Sequence, residues 1–388
     1  MADVPSNPDS GAAGTEYQTI HALRRLGHDV DEVWADSLPH RIRHGNLHYL
    51  LELPYAYEQT MMKKLVHMNY DVIHVNQPHG FRAARRLSRM PLHSIFIHRS
   101  HGLELRVEND LAPWEKLFKA DKRGLMRRVL SSIIGLLLAS HSKKIACYAD
   151  GHIVSASQCK NFLHKELGVP ANHIAVIPQA PSELFLASPS KEMTKVRLNR
   201  VLYVGQFAFV KAPIITAKVM SCLAKVDPDL QFTWVCSQQH HASVRELLAP
   251  EVRSKIELLD WMPQKDLVNT YDNHGIFLFP SFFEGFGKVF LEAMSRGLCV
   301  VAADNGGAHD IIKDGEDGML VPTGNVDVMV QACLNLVRNP DLAGSMSKKA
   351  VDTARRYSWD RVARETASFY QDRLNAKART RYNAMHSK

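Results

Sequence analysis

The chain has 388 residues, of which 45% are hydrophobic and 23% are charged. This composition excludes a disordered or fibrous protein and leaves room for two globular domains. The formal net charge of +8 and the pI near 9.1 favour a partner that carries phosphate, either a nucleotide-sugar or an anionic lipid surface.

Cysteines and apolar runs constrain the compartment. The six cysteines are scattered and form no Cys-x-x-Cys pair with metal-ligand spacing, which favours reduced thiols in the cytosol. We recognise no signal peptide, and the longest apolar run, at 133–139, is too short to span a bilayer. We therefore expect a cytoplasmic protein, with peripheral contact at the inner face of the membrane as a second expectation.

The first half of the chain alternates helical and extended patterns. A helix is predicted over 15–27, and strands are predicted at 29–34, 71–76, 94–98, 152–155 and 174–178. Alternation of strand and helix is typical of a parallel sheet with helices on its faces. We predict a Rossmann-like α/β domain over residues 1–185.

The beginning of the chain departs from this pattern. A doubly wound domain starts with a strand that leads into its first glycine loop, whereas the loop 11–14 is preceded only by a short segment. We expect residues 1–4 to supply at most a stub of the first strand and to leave ladder hydrogen bonds of its neighbours unmade. A gene model that begins late is one interpretation.

The second half repeats the alternation after a polar connector at 181–195. Strands are predicted at 201–204, 232–236, 256–259, 276–279 and 299–302, with helices between them. These elements predict a second doubly wound domain over 196–358. An amphipathic terminal helix is predicted over 359–374, and the basic segment 377–388 is expected to fray.

The loop after the apolar strand 276–279 is the strongest functional signal. It leads into a helix predicted over 289–296, and its glycines, Gly285 and Gly287, have no Cβ to hinder a ligand near the backbone. The first N–H groups of a helix have no internal partner and carry about half a positive charge, so an anion fits there. Glu284 and Glu292 are eight residues apart, about 12 Å if helical, which leaves room for a diphosphate.

This pattern predicts a nucleotide-sugar site. Glu292 would accept hydrogen bonds from the ribose hydroxyls, Glu284 would face the hexose, and the N–H groups near Phe286, Gly287 and Lys288 would bind the phosphates. The alternative is that both carboxylates merely favour a helix N-terminus.

The pair Glu284 and Glu292, with seven residues between them, resembles the hallmark of the retaining GT-B glycosyltransferases of family 4 (glycosyl transferases group 1). The similarity continues through 297–307, 314–318 and 357–359. The resemblance implies two Rossmann-like doubly wound domains, the first lacking most of its first strand here, and a terminal helix that returns to the first domain. It also implies a nucleotide-diphosphate sugar as donor and no bound metal or other cofactor.

The resemblance extends to further donor-binding residues. Gly205, Gln206 and Lys211 follow a predicted strand where the family places a glycine, an arginine and a lysine that together bind the diphosphate. Gln206 replaces the usual arginine and so gives up a fixed charge and its bidentate fork. Gly14 belongs to a segment similar to the family's first glycine loop, near donor phosphate and acceptor, while Thr15 is expected to cap the helix that follows.

One histidine is a candidate on the first domain. His101 follows a predicted strand and is similar to the family histidine that reaches the transferred sugar, whereas His98 is expected to point into the strand environment. The alternative is a structural role, since the chain has twenty histidines.

Three other patterns are open to a functional interpretation. Asp227-Pro228-Asp229 and the adjacent His240 and His241 resemble metal ligands, but the first lies in a polar turn and the second lacks a third ligand, so both are predicted to be structural. The basic, apolar-interleaved stretch 106–144 fits either a membrane surface or lipid-acceptor face, or an ordinary amphipathic helix.

The combined hypothesis is a retaining, hexosyltransferase-type glycosyltransferase of polysaccharide or glycolipid synthesis. Glu284, His101 and Lys211 are its predicted catalytic residues, its acceptor is a carbohydrate or glycolipid hydroxyl, and no nucleic acid is expected as a partner. Two alternatives stay open, namely a nucleotide-sugar epimerase of the same fold and a non-catalytic nucleotide-sugar-binding protein.

Overall fold

The computed structural model describes residues 1–8, 11–118 and 125–386, with the backbone alone at 104, 125–132, 384 and 385. It divides into two compact units. The first consists of Met1–Pro178 and Trp359–Lys388, and the second of Gln179–Ser358. The connector predicted at 181–195 therefore packs with the second unit.

The first unit contains a parallel sheet of four strands in the order β1-β2-β3-β4. The strands are β1 Val72–Asn76, β2 Ile95–Ser100, β3 Gly151–Val154 and β4 Ile174–Val176. The helices are α1 Ala12–Arg25, α2 Leu53–His67, α3 Phe81–Leu87, α4 Glu104–Leu117, α5 Leu125–Tyr148 and α6 Ser157–Leu167, and a π-helical turn, His48–Glu52, precedes α2. Every residue of β2 is buried, as expected of a central strand in a sheet covered on both faces.

Residues 1–4 form the expected stub beside β1 rather than a full strand. The Met1 ammonium donates to the His74 carbonyl at 2.7 Å, and the Asn76 N–H donates to the Met1 carbonyl at 3.1 Å. The expectation of unmade ladder bonds is therefore wrong at these two positions. The strand predicted at 29–34 is also wrong, because this segment makes only isolated bonds to the short stub, such as Ala2 N–H to the Val33 carbonyl at 2.9 Å.

Two histidines face each other inside this sheet. His98 Nδ1 on β2 lies 3.1 Å from His152 Nδ1 on β3, and both residues are buried, as predicted for His98. Burial lowers the pKa of His152 to about 4 and holds the pKa of His98 well below its usual value, with the neighbouring His152 adding to the effect. Both imidazoles are therefore neutral in the folded protein near neutral pH.

We expect the protein to lose stability as the pH falls from about 6.5 towards 4. In this range the unfolded chain binds protons at these histidines and the folded chain does not, so the free energy of unfolding increases with pH. His152→Gln should lessen this dependence by up to about 1.4 kcal/mol per pH unit. Urea denaturation at several pH values in this range measures the pH dependence of the free energy of unfolding. His28→Gln, which changes an exposed histidine, is the control. Equal pH dependence in wild type and His152→Gln would contradict the account.

The second unit contains a parallel sheet of six strands in the order β10-β9-β8-β5-β6-β7. The strands are β5 Arg200–Val204, β6 Gln231–Val235, β7 Ile256–Leu259, β8 Ile276–Phe279, β9 Cys299–Ala303 and β10 Met319–Val321. The helices are α7 Glu183–Leu186, α8 Lys195–Leu198, α9 Pro213–Val226, α10 His241–Leu247, α11 Pro250–Arg253, α12 Gln264–Asp272, α13 Lys288–Ser295, α14 Gly306–Ile311, α15 Val326–Arg338 and α16 Pro340–Ala354.

The core of this unit surrounds its central strands. Phe277 and Phe279 on β8 pack with Phe290 and Leu291 on α13 in one buried cluster. Apolar runs buried on both faces are typical of a parallel sheet, and they explain why β5, β6, β8 and β9 were predictable, whereas β7 is a partly exposed edge strand. The sequence analysis missed β10 because it has only three residues, two of them half-buried.

The terminal helix α17 spans Trp359–His386 and packs against α1 in the first unit. The prediction of a frayed tail from 377 is wrong within the described residues. Lys377 Nζ donates to the Ser94 carbonyl at 2.8 Å and lies 3.0 Å from Asp150 Oδ2, and Arg381 donates to the Met90 carbonyl. Because the basic side chains have partners on the first unit, the helix continues to His386. No described helix has the length and apolar character needed to cross a membrane.

Candidate functional site

The loop between β8 and α13 is shaped by one glycine. Gly287 is the N-cap residue of α13 and has a φ of 88°, a left-handed conformation that favours glycine. A Cβ at this position would lie 2.3 Å from Cζ of the Phe279 ring. The chain therefore enters α13 close against the end of β8, with no side chain at the turn.

A second pair of glycines supports the loop from the other side. A Cβ on Gly306 would lie 2.5 Å from Cβ of Glu284, and a Cβ on Gly307 would lie 2.5 Å from the Phe286 ring. The Gly307 N–H also donates to the Phe286 carbonyl at 2.9 Å. The start of α14 thus fixes the backbone around Glu284.

Glu284 forms an ion pair with Lys211. Lys211 Nζ lies 2.7 Å from Glu284 Oε1, and the Glu284 side chain is 5% exposed against 28% for Lys211. The turn that carries Lys211 is tied down by the Tyr203 hydroxyl, which donates to the Lys211 carbonyl at 3.2 Å. The structure therefore brings together two predicted catalytic residues that are 73 positions apart in the chain.

Glu292 lies one turn into α13 and is 4% exposed. Lys288 Nζ is 3.8 Å from its Oε1. Burial raises the pKa of Glu292, and the Lys288 charge opposes this rise. A buried carboxylate without a close donor is a suitable acceptor for ligand hydroxyl groups.

The other residues predicted to bind the donor offer main-chain groups or space rather than charged side chains. Gly285 is buried, and the Phe286 ring belongs to the core, which leaves main-chain groups for a ligand. A Cβ on Gly205, directly after β5, would lie 2.7 Å from the Tyr203 hydroxyl oxygen. Gln206 is exposed and brings no charge to this edge of the sheet.

On the first unit, His101 belongs to a buried polar cluster. His101 Nε2 lies 2.8 Å from Glu16 Oε1, and Arg99 Nε lies 3.5 Å from the same oxygen. Arg99 is fully buried and donates from Nη1 to Thr19 Oγ1 at 3.1 Å. Burial acts to raise the pKa of Glu16, but Arg99 and His101 outweigh it and hold this pKa below its usual range.

The sequence analysis missed Glu16 and Arg99 as functional candidates. Two signals could have found them, namely an acidic residue two positions after the first glycine loop and an arginine directly after the strand predicted at 94–98. Gly14 is required here because a Cβ would lie 2.5 Å from the Pro8 carbonyl oxygen. The Thr15 cap prediction is wrong, since Thr15 lies inside α1 and its hydroxyl donates to the carbonyl of the N-cap residue, Gly11.

Polar atoms around His101 are buried without a partner. Among the described residues, the buried atoms that lack a hydrogen bond of good geometry include His74 Nε2, Asn76 Oδ1, Gln77 Oε1, Arg99 Nη2 and His101 Nδ1. Gln77 also has a φ of 75°, which is uncommon outside glycine. Buried polar groups usually have hydrogen-bond partners, so this set at the carboxyl ends of β1 and β2 is suited to a polar ligand.

The two weak metal patterns have structural explanations. The Asp229 N–H donates to Asp227 Oδ1 at 3.0 Å within a turn. His241 Nε2 lies 3.2 Å from the Cys236 carbonyl oxygen, while the His240 ring stacks on Phe207.

Only part of the basic stretch 106–144 can be assessed. Lys116, Lys143 and Lys144 are exposed, and Leu136 nearby is 73% exposed. The side chains of Lys119, Lys122, Arg123, Arg127 and Arg128 and of the apolar residues between them lie outside the described residues. Ile145 on the same helix belongs to the core, so α5 packs at least one face on the first unit.

Comparison with known proteins adds family evidence. The model of Glycosyltransferase Family 4 matches residues 10–180, and the model of Glycosyl transferases group 1 matches residues 199–339. A D-inositol 3-phosphate glycosyltransferase of Corynebacterium glutamicum is 28% identical over 236 residues, which are 56% of this chain and 56% of that protein. The match thus spans little more than half the length of this curated relative.

Solved structures share the fold across nearly the whole chain. Sucrose-phosphate synthase from Thermosynechococcus elongatus has a TM-score of 0.72 at 19% identity and covers 97% of this chain and 98% of its own. HepE of Anabaena, solved in complex with UDP-glucose, has a TM-score of 0.67 at 14% identity, with 96% and 99% covered. These structures and the two all-parallel sheets show the GT-B fold. The two family models together match most of the chain, and the chain belongs to the glycosyltransferases of family 4, group 1.

Proposed function

We propose that this glycosyltransferase is a retaining, hexosyltransferase-type enzyme that moves a sugar from a nucleoside-diphosphate sugar to an acceptor hydroxyl. The observation that carries the proposal is the Lys211–Glu284 ion pair beside the glycine-supported start of α13. That arrangement combines a fixed cation, a helix N-terminus and a buried carboxylate in one unit.

The donor is held mainly by its charge. Breaking the anomeric bond leaves negative charge on the departing diphosphate, and groups fixed in advance near that charge stabilise the transition state. Lys211 and the first N–H groups of α13 are such groups on the second unit. Glu292 accepts hydrogen bonds from the ribose hydroxyls, so it contributes to binding rather than to bond breaking.

Glu284 acts by positioning a sugar hydroxyl rather than as a nucleophile. Its Oε1 is 2.7 Å from Lys211 Nζ, and this pairing reduces the nucleophilicity of the carboxylate. The acceptor oxygen then forms the new glycosidic bond on the face from which the diphosphate leaves. A phosphate oxygen takes the acceptor proton, and the configuration at the anomeric carbon is retained.

His101 on the first unit is suited to bind a sugar hydroxyl. It is 2.8 Å from Glu16 Oε1 and has a buried Nδ1 without a hydrogen-bond partner in the described chain. The names of the curated relatives make inositol 3-phosphate the first acceptor to test. The UDP-glucose complex of HepE makes UDP-glucose the first donor to test.

Glu292→Ala should weaken nucleoside-diphosphate binding by about 10-fold or more, since it removes charged hydrogen bonds to the ribose. Calorimetric titration with UDP, GDP and ADP measures the change in Kd. Glu257→Ala, an exposed glutamate on β7, is the control and should bind as the wild type does. An unchanged Kd in Glu292→Ala would reject the assigned role.

One observation favours a second candidate, a non-catalytic nucleotide-sugar-binding protein. Gln206 stands uncharged and exposed where the family has an arginine. Such a protein would bind the donor but show neither transfer nor slow donor hydrolysis. Incubating donor without acceptor separates three functions, because an epimerase would isomerise the sugar and a transferase would release it slowly to water.

A further inference from the structure

A group of histidines converges on one buried carboxylate in the first unit. His40 Nε2 lies 3.1 Å from Asp3 Oδ1, and His44 Nε2 and His48 Nε2 each lie 3.2 Å from Asp3 Oδ2. The side chains of Asp3 and His48 are fully buried. Metal-ligating atoms of Asp3, His40 and His48 all lie within 4.8 Å of one another, and we refer to these three residues as the His–Asp cluster.

The proton on His48 is fixed by a second carboxylate. Glu52 accepts backbone N–H bonds from Arg41 at Oε1 (2.7 Å) and from Ile42 at Oε2 (2.9 Å), so both oxygens act as acceptors. His48 Nδ1 lies 2.9 Å from Oε2. The Nδ1 therefore donates to Glu52. In the neutral imidazole this leaves Nε2 with a lone pair that faces the acceptor oxygen of Asp3.

Two facing acceptors 3.2 Å apart need a proton or a metal ion between them. A proton on His48 would bridge this pair but would leave the buried Asp3 Oδ1 without a hydrogen bond of good geometry. Further protons are disfavoured because the three imidazole rings are crowded. The centroids of His40 and His48 are 4.5 Å apart and those of His44 and His48 are 5.5 Å apart, so several imidazolium charges would repel one another. A single divalent ion neutralises the carboxylate and accepts all the lone pairs.

The distances suit a tetrahedral ion. With metal–ligand bonds of about 2.0–2.1 Å, neighbouring ligand atoms of a tetrahedral site lie about 3.4 Å apart. In the His–Asp cluster, His40 Nε2 lies 3.1 Å from Asp3 Oδ1 and His48 Nε2 lies 3.2 Å from Asp3 Oδ2, so each nitrogen is near this separation from one carboxylate oxygen. Glu52 accepts the hydrogen bond from His48 Nδ1, and a metal-bound histidine usually donates its second nitrogen to a carboxylate in this way.

A buried orphan atom is independent evidence. Asp3 is only 2% exposed, and its Oδ1 has no hydrogen-bond partner of good geometry in the described chain. A buried carboxylate oxygen in this position is costly unless something neutralises it. We propose that Asp3, His40 and His48 bind one divalent transition-metal ion of the zinc class, with His44 or water as fourth ligand.

The consequence is structural. The ion would link the stub at residues 1–4 to the segment 40–52, which the sheet itself holds by few hydrogen bonds. Metal sites of this kind add their binding free energy to folding. No metal was expected from the sequence. His40, His44 and His48 are spaced four residues apart, but Asp3 is distant from them in the chain, so the cluster is not evident in the local sequence.

The experiment uses full-length protein without a histidine tag, stripped with a chelator and dialysed. Titration with Zn²⁺ by calorimetry should give about one high-affinity site per chain, and Co²⁺ should produce the visible absorption of tetrahedral coordination. Asp3→Asn and His40→Ala should each weaken Zn²⁺ binding by about 100-fold and abolish the cobalt spectrum.

His40 provides the decisive variant because its side chain is 31% exposed and its loss should leave the fold intact, as circular dichroism can verify. His28→Ala, which removes an exposed histidine outside the cluster, should bind both metals as the wild type does. Failure of the wild type to bind either metal, or equal affinity in wild type and His40→Ala, would overturn the proposal.

Discussion

Glu284→Gln and Lys211→Ala should each lower kcat for sugar transfer by about 10²–10³-fold, a loss comparable to removing one fixed donor from a charge-stabilising site. Lys211 loses its charge near the leaving diphosphate, and Glu284 loses the charged acceptor for the sugar hydroxyl. Steady-state kinetics with a saturating donor measures the effect. Wild-type-like turnover in folded variants would reject both roles.

The ion pair allows a sharper design. Lys211→Ala leaves the buried Glu284 carboxylate without its partner, so it should cost about 1–3 kcal/mol of stability, and Glu284→Gln in the same chain should recover part of that cost. Turnover should stay low in the double variant. Lys255→Ala is the matched control. Lys255 Nζ donates to the Pro228 carbonyl at 2.7 Å and makes no ion pair with Glu284.

Arg296→Met should destabilise the second unit by about 3–5 kcal/mol, the largest stability loss we expect from a single substitution. Arg296 is 1% exposed and forms a bidentate pair with Asp272 at 2.8 and 2.9 Å. It also donates to the carbonyls of Phe185, Ser188 and Pro189. Its removal leaves the buried Asp272 carboxylate and three carbonyl groups of the connector without this donor.

Chemical denaturation monitored by circular dichroism measures the loss. Arg355→Ala is the control, because its 4.0 Å pair with Asp352 is exposed on both sides and should contribute about 1 kcal/mol or less. Adding Asp272→Asn to Arg296→Met should recover part of the stability, since it removes the unpaired carboxylate charge of Asp272. A loss in Arg296→Met no greater than in Arg355→Ala would contradict this interpretation.

Four strands of the second unit, β5, β6, β8 and β9, were predictable because they are largely buried on both faces. The apolar runs at β8 and β9 fix their boundaries without help from distant residues. The segment 29–34 mixes acidic and apolar residues and was also predicted as a strand, yet it does not form one because its neighbour is only a short stub. Local sequence thus predicts which residues favour a strand, but whether a strand forms depends on its partner.

The site divides in the same way. Glycines and carboxylates near the start of α13 were predictable because the loop, helix start and spacing lie within one segment. Lys211 was assigned to the site only through a family resemblance and its contact with Glu284 was not predicted. Glu16 with Arg99 was missed altogether, because each pair joins residues on different elements. Contacts across a sheet edge have no signature in local sequence.

The central claim is that a nucleoside diphosphate binds at the start of α13, and a crystal structure with UDP tests it most directly. We predict the diphosphate against the main-chain N–H groups of residues 286–288 and near Lys211, with the ribose hydroxyls on Glu292. Saturating UDP bound elsewhere, with Glu292 and Lys211 making no contact to it, would contradict the claim.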